Sequence, residues 1–166
     1  LGTKNILALP RLDKIVINVG IGSMVTQQQV KDFTFVERSI AAITGQKPIT
    51  ITAKKSVSNF KLRENTPNGM KVTLRGERMY DFLSKLINIV FPRVRDFRGM
   101  SNHSFDQEGN YSIGMKENGV FPEIQLEDDI KNFGLEITLV VKNSDPTKTA
   151  LLLRNFGFPF KDKNNN

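Results

Sequence analysis

The segment Met70–Arg75 constrains the fold more than any other part of the chain, because its residues alternate strictly in polarity. Apolar residues alternate with polar or basic ones in the order Met70, Lys71, Val72, Thr73, Leu74, Arg75. Successive side chains of a β-strand point to opposite faces of the sheet. The pattern therefore predicts a strand with one buried and one basic face, which favours a largely antiparallel sheet.

Further elements follow from hydrophobic periodicity, caps and turn residues. Strands are predicted at residues 11–19, 49–52, 97–99, 111–116 and 135–142. Helices are predicted from Ser23 or Thr26 to Ile43 with Gly45 as the stop, from Glu77 to Pro92, and at 147–155 after Pro146. The order implies an α+β fold, in which helices pack on one sheet face and the other face is polar, basic and open for RNA. That face would carry Lys14, Asn18, Lys71, Thr73, Arg75, Ser112 and Thr138.

The net charge of +7 is unevenly distributed along the chain. Residues 1–99 hold 17 Lys and Arg against 7 Asp and Glu, whereas residues 100–166 hold 7 against 10. A basic first part indicates a polyanionic partner, and the mildly acidic second part indicates a different one. A merely soluble surface with a basic bias is the alternative interpretation.

Composition excludes several classes of site. The chain has no Cys and one His, which removes disulfides, thiolate nucleophiles and Cys- or His-based metal sites, so we expect no metal and no cofactor. No apolar run approaches about 18 residues, so we expect no membrane span. A lone His103 and the acidic run Glu127–Asp129, which lacks the spacing of a calcium loop, indicate no catalytic centre. We therefore expect no enzyme.

One glycine motif keeps an enzymatic alternative open. Gly20-Ile21-Gly22 follows a predicted strand and precedes a predicted helix, as in dinucleotide-binding proteins, although Val25 stands where a third glycine belongs. A nucleotide-dependent enzyme is thus one alternative, and a protein–protein adaptor without RNA is another.

Two basic segments indicate RNA more strongly. One is a Ser- and Asn-rich loop with Lys54, Lys55, Ser56, Lys61 and Arg63, and the other places Arg93, Arg95 and Arg98 within six residues. Such side chains neutralise phosphates and donate to phosphate and ribose oxygens. Aromatic residues near them are scarce, which favours recognition of folded RNA by backbone shape over base stacking.

Several ordered motifs together identify a family. They are Pro10–Ile15, Asn18–Gly22, Thr44–Pro48, Ala53–Val57 with Phe60 and Lys61, Lys71–Met79, Pro92–Gly99, Gly109–Ser112, Phe121–Ile124 and Phe156–Phe160. Over about residues 10–161 the chain resembles the ribosomal protein L5 family, the 5S rRNA-binding proteins of the large subunit, of bacterial or organellar type.

The resemblance implies a structural constituent of the ribosome, in a bacterial cytoplasm or an organelle. Its partners would be 5S rRNA, large-subunit rRNA and neighbouring large-subunit proteins in the central protuberance, the P-site tRNA, and a small-subunit head protein across an inter-subunit bridge. We expect a single domain over residues 1–161 and a polar tail at 162–166. Nine residues precede Pro10, so the helix that precedes the Pro-Arg motif in the family either is missing from this lineage or lies outside the given sequence.

The resemblance also assigns residues to these contacts. With the arginine-rich segment added, the rRNA-binding candidates are Asn18, Gly20, Gly22, Lys47, Lys54, Ser56, Lys71, Thr73, Arg75, Arg93, Arg95 and Arg98. A loop at about Ser58–Gly69 would reach the P-site tRNA through Lys61, Arg63 and Asn65. From their charge, not from the resemblance, we assign Asp106, Glu108, Glu127, Asp128 and Asp129 to the basic small-subunit protein.

Overall fold

An antiparallel sheet organises the computed structural model, which describes residues 5–26, 32–124 and 132–161. Its strands within the described residues are β1 (Arg11–Gly20), β2 (Ile49–Thr52), β3 (Pro67–Leu74), β4 (Tyr111–Met115) and β5 (Leu135–Lys142). They lie in the order β2-β3-β1-β5-β4. Together with the helices, this sheet confirms the α+β class.

The helices connect these strands along the chain. They are α1 (Gly22–Thr26), α2 (Thr34–Thr44), α3 (Glu77–Lys85), α4 (Phe91–Arg93) and α5 (Pro146–Asn155), with a π-helical segment at Leu86–Val90 and 3-10 turns at Ile6–Ala8 and Ser58–Phe60. The described residues divide into two compact units, each built from separate stretches of chain. The first unit contains residues 5–15, 75–113 and 137–161, and the second contains 16–26, 32–74, 114–124 and 132–136. The expected single domain stays a prediction.

In the second unit, alternation along β1 and β3 produces one buried sheet face. Ile17, Val19, Met70, Val72 and Leu74 are at most 3% exposed, as the sequence pattern predicts. Both α1 and α2 contact β3. Burying such side chains contributes roughly 1.5–3 kcal/mol each. The opposite face of these strands is left open.

The helix predicted from Ser23 or Thr26 to Ile43 lies in two pieces among the described residues, α1 and α2, and residues 27–31 lie outside the described residues. Its stop is confirmed. Gly45 adopts a left-handed conformation with φ 67°, and its N–H donates to the Ala41 carbonyl at 2.8 Å. A residue without a side chain takes this conformation without steric cost.

In the first unit, the predicted helix from Glu77 to Pro92 is confirmed to within one residue. The chain is helical through α3, the π-helical segment and α4, which ends at Arg93, and Pro92 lies in the first turn of α4. The missing N–H of proline is tolerated there, because the first N–H groups of a helical segment need no partner within it. The buried residues of α3 are Met79, Phe82 and Leu83.

The strand predicted at 97–99 is also wrong. Asp96 and Gly99 have φ values of 54° and 88°, which a β-strand does not accommodate. Phe97 instead stacks on Phe91 with ring centroids 5.4 Å apart. The next residue, Met100, forms an isolated parallel bridge with Phe160.

The Phe-Gly-Phe-Pro-Phe motif belongs to an aromatic cluster of the first unit. Phe158 lies edge-on to Phe91 at 5.2 Å and to Tyr111 at 5.4 Å. Tyr111 is fully buried, and its hydroxyl donates to the Ser101 carbonyl at 2.7 Å. Burial raises the pKa of Tyr111 to about 12. This motif is therefore explained by packing.

Candidate RNA-binding surface

The open sheet face of the second unit brings together several residues that the sequence assigned to rRNA. Asn18 on β1 and Thr73 on β3 are half-buried, and Lys71 is exposed. All three occupy positions that alternate with the buried residues of their strands. We call the residues at these alternating positions of the second unit the open face.

An edge strand borders the open face. In the antiparallel register of β2 with β3, Ile49 lies opposite Lys71 and Ile51 opposite Gly69. All residues of β2 are exposed, and 73% of Ile49 is accessible. The open face is therefore a mixed surface, in which cationic and amide groups lie beside exposed apolar side chains.

A depression of about 710 Å³ lies in the open face. Its lining includes Gly20, Gly69, Gly114 and Gly134 from neighbouring strands or their ends. A Cβ at Gly69 or Gly134 would come 3.2 Å from a backbone oxygen of the adjacent strand, whereas Gly20 and Gly114 have nothing within 4 Å. A methyl group at Gly20 or Gly114 would therefore occupy open space that a bound partner can use.

Side chains that the sequence analysis did not select also line this depression. They are Ile51, Asn68, Lys116 and Glu136. Lys116 could have been found from its sequence, because it alternates with Ser112 and Gly114 at the end of the predicted strand 111–116. Asn68 could not, because no polarity pattern marks the start of β3.

The Gly20-Ile21-Gly22 motif has a structural explanation in the second unit. Ile21 N–H donates to the Asn68 carbonyl at 3.0 Å, and the Asn68 amide oxygen occupies the space that a Cβ at Gly22 would need. The sheet is antiparallel, unlike the parallel sheet of dinucleotide-binding folds, and α1 spans only five residues. The motif therefore gives no support to a nucleotide site.

Lys47 and its neighbour lie beside β3. The ammonium group of Lys47 is 3.1 Å from Glu37, and 83% of the Lys47 side chain is exposed. Gln46 Nε2 donates to the Thr73 carbonyl at 3.3 Å. An exposed ion pair of this kind contributes little to stability, so Lys47 can exchange the carboxylate for a phosphate at small cost.

The loop between β2 and β3 begins and ends earlier than predicted. It covers residues 53–66, because Pro67 already pairs with Thr52, so the last three residues of the predicted loop Ser58–Gly69 belong to β3. We call residues 53–66 the basic loop. It contains Lys54, Lys55, Lys61 and Arg63 against one acidic residue, Glu64.

Hydrogen bonds fix the conformation of the basic loop. Ala53 N–H donates to the Thr66 carbonyl and Asn65 N–H to the Ala53 carbonyl, both at 2.9 Å. Glu64 N–H donates to Ser56 Oγ at 2.9 Å, so the hydroxyl of Ser56 supports the loop. Lys61 and Asn65 have φ values of 52° and 64°. The loop is thus folded on itself, with its cations exposed.

The remaining basic candidates lie in the first unit. Arg75 follows β3 and is exposed, as are Arg93, Arg95 and Arg98, none of which forms an ion pair with a described residue. The carboxylate of Asp13 accepts from Lys142 Nζ at 2.8 Å. This hydrogen bond, with the nearby charges of Lys142, Lys14 and Arg75, lowers the pKa of Asp13. The four arginines are therefore free to meet an anionic partner.

The acidic candidates have mixed outcomes. Asp106 is exposed, but its carboxylate accepts the Asn110 N–H at 2.7 Å and the Asn110 side-chain amide at 2.8 Å, so it holds a turn. Glu108 is exposed. Glu127, Asp128 and Asp129 lie outside the described residues, as does the predicted tail at 162–166.

Other classes of site find no support in the described part of the chain. It contains no group of three His, Cys, Asp or Glu side chains that could hold a metal ion. None of its helices has the length and apolar character needed to cross a membrane. His103 is exposed, and its backbone N–H donates to Ser101 Oγ at 3.1 Å.

Comparison with known proteins shows the family of this chain. Residues 5–63 match the family model described as ribosomal protein L5, and residues 67–160 match the model of the C-terminus of the same ribosomal family. Large ribosomal subunit protein uL5 of Halothermothrix orenii is 52% identical, over 95% of this chain and 87% of the relative. The proteins of the same name from Chloroflexus aggregans and Colwellia psychrerythraea are 50% and 47% identical, over 96% and 98% of this chain and 87% and 88% of theirs.

Proposed function

Because the chain belongs to the ribosomal protein L5 family, and is therefore a structural constituent of the large ribosomal subunit and not an enzyme, we propose that its open face and basic loop bind RNA. The rRNA partners are 5S rRNA and the adjoining large-subunit rRNA of the central protuberance. Asn18, Gly20, Lys71 and Thr73 form the centre of this contact.

The observation that carries the proposal is the chemistry of the open face. It presents an exposed ammonium group at Lys71 and the amide of Asn18, around a depression where Gly20 and Gly114 leave room for a close approach. Folded RNA offers phosphates to the cation and ribose hydroxyls to the amide. Lys47, Lys54, Ser56 and Gly22 border the same contact within the second unit. In the first unit, Arg75, Arg93, Arg95 and Arg98 are separate candidates for rRNA contacts.

Two further contacts complete the proposal. The basic loop reaches the P-site tRNA through Lys61, Arg63 and Asn65, which are exposed on a preformed backbone. The acidic residues assigned above, among them Glu108, meet a basic protein of the small-subunit head. Neighbouring large-subunit proteins pack on the rest of the surface.

Salt dependence of 5S rRNA binding tests the proposal. If six phosphates are contacted, the affinity falls about a thousandfold between roughly 50 and 200 mM salt. Replacing Lys71 and Arg75 together by Ala weakens binding and flattens this dependence, without unfolding, since both side chains are exposed. Tight binding that ignores salt would refute a phosphate-centred contact.

A matched control separates position from charge. Arg38→Ala with Arg78→Ala removes the same charge from exposed positions on the helices α2 and α3, instead of from Lys71 on the open face and Arg75 directly after β3. We expect this control to bind 5S rRNA nearly as well as the unmodified chain. Equal losses in both double variants would mean that the open face is the wrong surface, and purification without any RNA would favour a protein–protein adaptor.

A further inference from the structure

The basic loop displays an aromatic ring to solvent. Phe60 ends the 3-10 turn Ser58–Phe60, and 73% of it is exposed, the largest fraction among the aromatic residues that the structure describes. Other phenylalanines of the chain, such as Phe91 and Phe158, are nearly fully buried. An exposed ring of this size is costly in water, because its apolar surface remains hydrated.

The position of the ring is fixed by the loop that carries it. Val57 and Leu62 form an antiparallel bridge around the turn. Val57 N–H donates to the Leu62 carbonyl at 2.9 Å, and Leu62 N–H donates to the Val57 carbonyl at 3.1 Å. Phe60 N–H donates to the Val57 carbonyl at 3.2 Å, and Lys61 continues in a left-handed conformation. The ring is thus presented from a closed turn.

The described residues leave most of this ring uncovered. No aromatic ring or cation among them stacks on Phe60. An exposed ring offers a flat surface on which another π-system can stack.

The charges around the ring select its partner. Lys54, Lys55, Lys61 and Arg63 share the basic loop with Phe60, and none of them forms an ion pair with a described residue. Cations beside an exposed aromatic ring are the arrangement used to bind single-stranded nucleic acid, in which the backbone meets the cations and a base meets the ring. A hydrophobic pocket of another protein would gain nothing from these charges.

We propose that Phe60 stacks on an unpaired nucleobase of a bound RNA, with the cations of the basic loop neutralising the adjoining phosphates. This inference rests on the proposed function and adds a stacking contact, which the scarcity of aromatic residues in the sequence had argued against. The base can belong to 5S rRNA or to the P-site tRNA, and the shared chemistry is a base that is free to leave its own stack.

The test compares Phe60→Leu with Phe60→Trp in two assays. The first measures binding of bacterial 5S rRNA to the full chain, and the second measures deacylated tRNA binding to the P site of ribosomes that contain each variant. Leu keeps an apolar side chain without a π-face, whereas Trp keeps the face. We expect Phe60→Leu to lose about tenfold in affinity in one assay, equal to about 1.4 kcal/mol, and Phe60→Trp to bind like the original.

A charge variant supplies the internal control. Lys61→Ala is expected to weaken binding and to reduce the salt slope by about one, because it removes a phosphate contact. Phe60→Leu is expected to leave that slope unchanged, because stacking releases no counterions. Unfolding midpoints of both variants should match the original, since the side chains are exposed.

The outcomes are separable. A loss with Leu but not with Trp supports stacking, and the assay in which it occurs identifies the RNA. If the unmodified chain binds 5S rRNA but Phe60→Leu is unchanged in both assays, or if Leu and Trp behave alike, stacking is refuted and the proposed function stands. If the unmodified chain binds neither RNA, the proposed function itself fails.

Discussion

Replacing Gly109 by Ala should destabilise the protein strongly, for two reasons that can be measured separately. Gly109 has φ 79°, where a residue with a side chain is strained by about 1–2 kcal/mol. A Cβ at this position would also lie 2.8 Å from the Asp145 carbonyl carbon and 3.0 Å from its Cα and O. These are backbone atoms, so the contact cannot be relieved by rotating a side chain.

The surroundings of Gly109 resist adjustment. The Asp145 carboxylate accepts the Lys148 N–H at 2.8 Å and so begins α5, while Thr149 Oγ1, fully buried, donates to the Gly109 carbonyl at 2.6 Å. Moving either backbone breaks one of these bonds. Overpacking of this kind costs about 1–3 kcal/mol, which brings the expected total for Gly109→Ala to about 2–5 kcal/mol.

Gly45→Ala is the matched control. Gly45 has φ 67°, but a Cβ there meets nothing within 4 Å, so only the conformational cost of about 1–2 kcal/mol applies. Urea unfolding followed by circular dichroism gives the free energy of unfolding of both variants. Equal losses for Gly45→Ala and Gly109→Ala would refute the steric argument, and a negligible loss for both would refute the conformational one.

Three further predictions follow from buried, capping and open-face groups. Tyr111→Phe leaves the Ser101 carbonyl without its donor and should cost about 1 kcal/mol. Burial raises the pKa of Tyr111 from 10.0 to about 12, so the neutral hydroxyl stabilises the fold fully below pH 10. This stabilisation is lost as the pH rises towards 12. Melting temperatures of the Phe variant should not show that loss. The backbone hydrogen bond from Lys148 lowers the pKa of Asp145, so the stabilisation from the ionised carboxylate is lost as the pH falls below the ordinary value of 3.8. Asp145→Asn keeps a capping oxygen and should flatten the acid side of the melting-temperature profile. Gly114→Val should leave the free energy of unfolding within about 0.5 kcal/mol but weaken 5S rRNA binding about tenfold, and unaltered binding would contradict a close approach at the open face.

The fold was largely predictable where local pattern and global packing agree. Alternation over Met70–Arg75 predicts the buried and open sides of β3, and β5 has the same bounds as its predicted strand, 135–142. Pro67, Asn68 and Gly69 show no such alternation. Pro67 and Gly69 pair with β2, and the Asn68 carbonyl accepts the Ile21 N–H. A non-local pairing of this kind leaves no mark in the local sequence.

The sequence predicted which residues of the candidate site are exposed better than it predicted the depression that they surround. Exposed cations such as Lys71 are evident from the sequence, since a charged residue on an alternating strand faces solvent. The depression depends on glycines of separate strands meeting across the sheet, for example Gly69 against the Val19 carbonyl. Likewise, Asp106 is acidic in the sequence, but only the structure reveals that Asn110 uses its carboxylate.

The short edge strand β2 affects how the protein behaves before assembly. Among the described residues no strand pairs with its outer edge, and Ile49 on this strand is 73% exposed. An unprotected edge of this kind is a template on which a second chain can add a strand, although four residues and a nearby lysine limit its adhesion. We therefore expect β2 to be an aggregation-prone site of copies that have not yet been assembled with RNA.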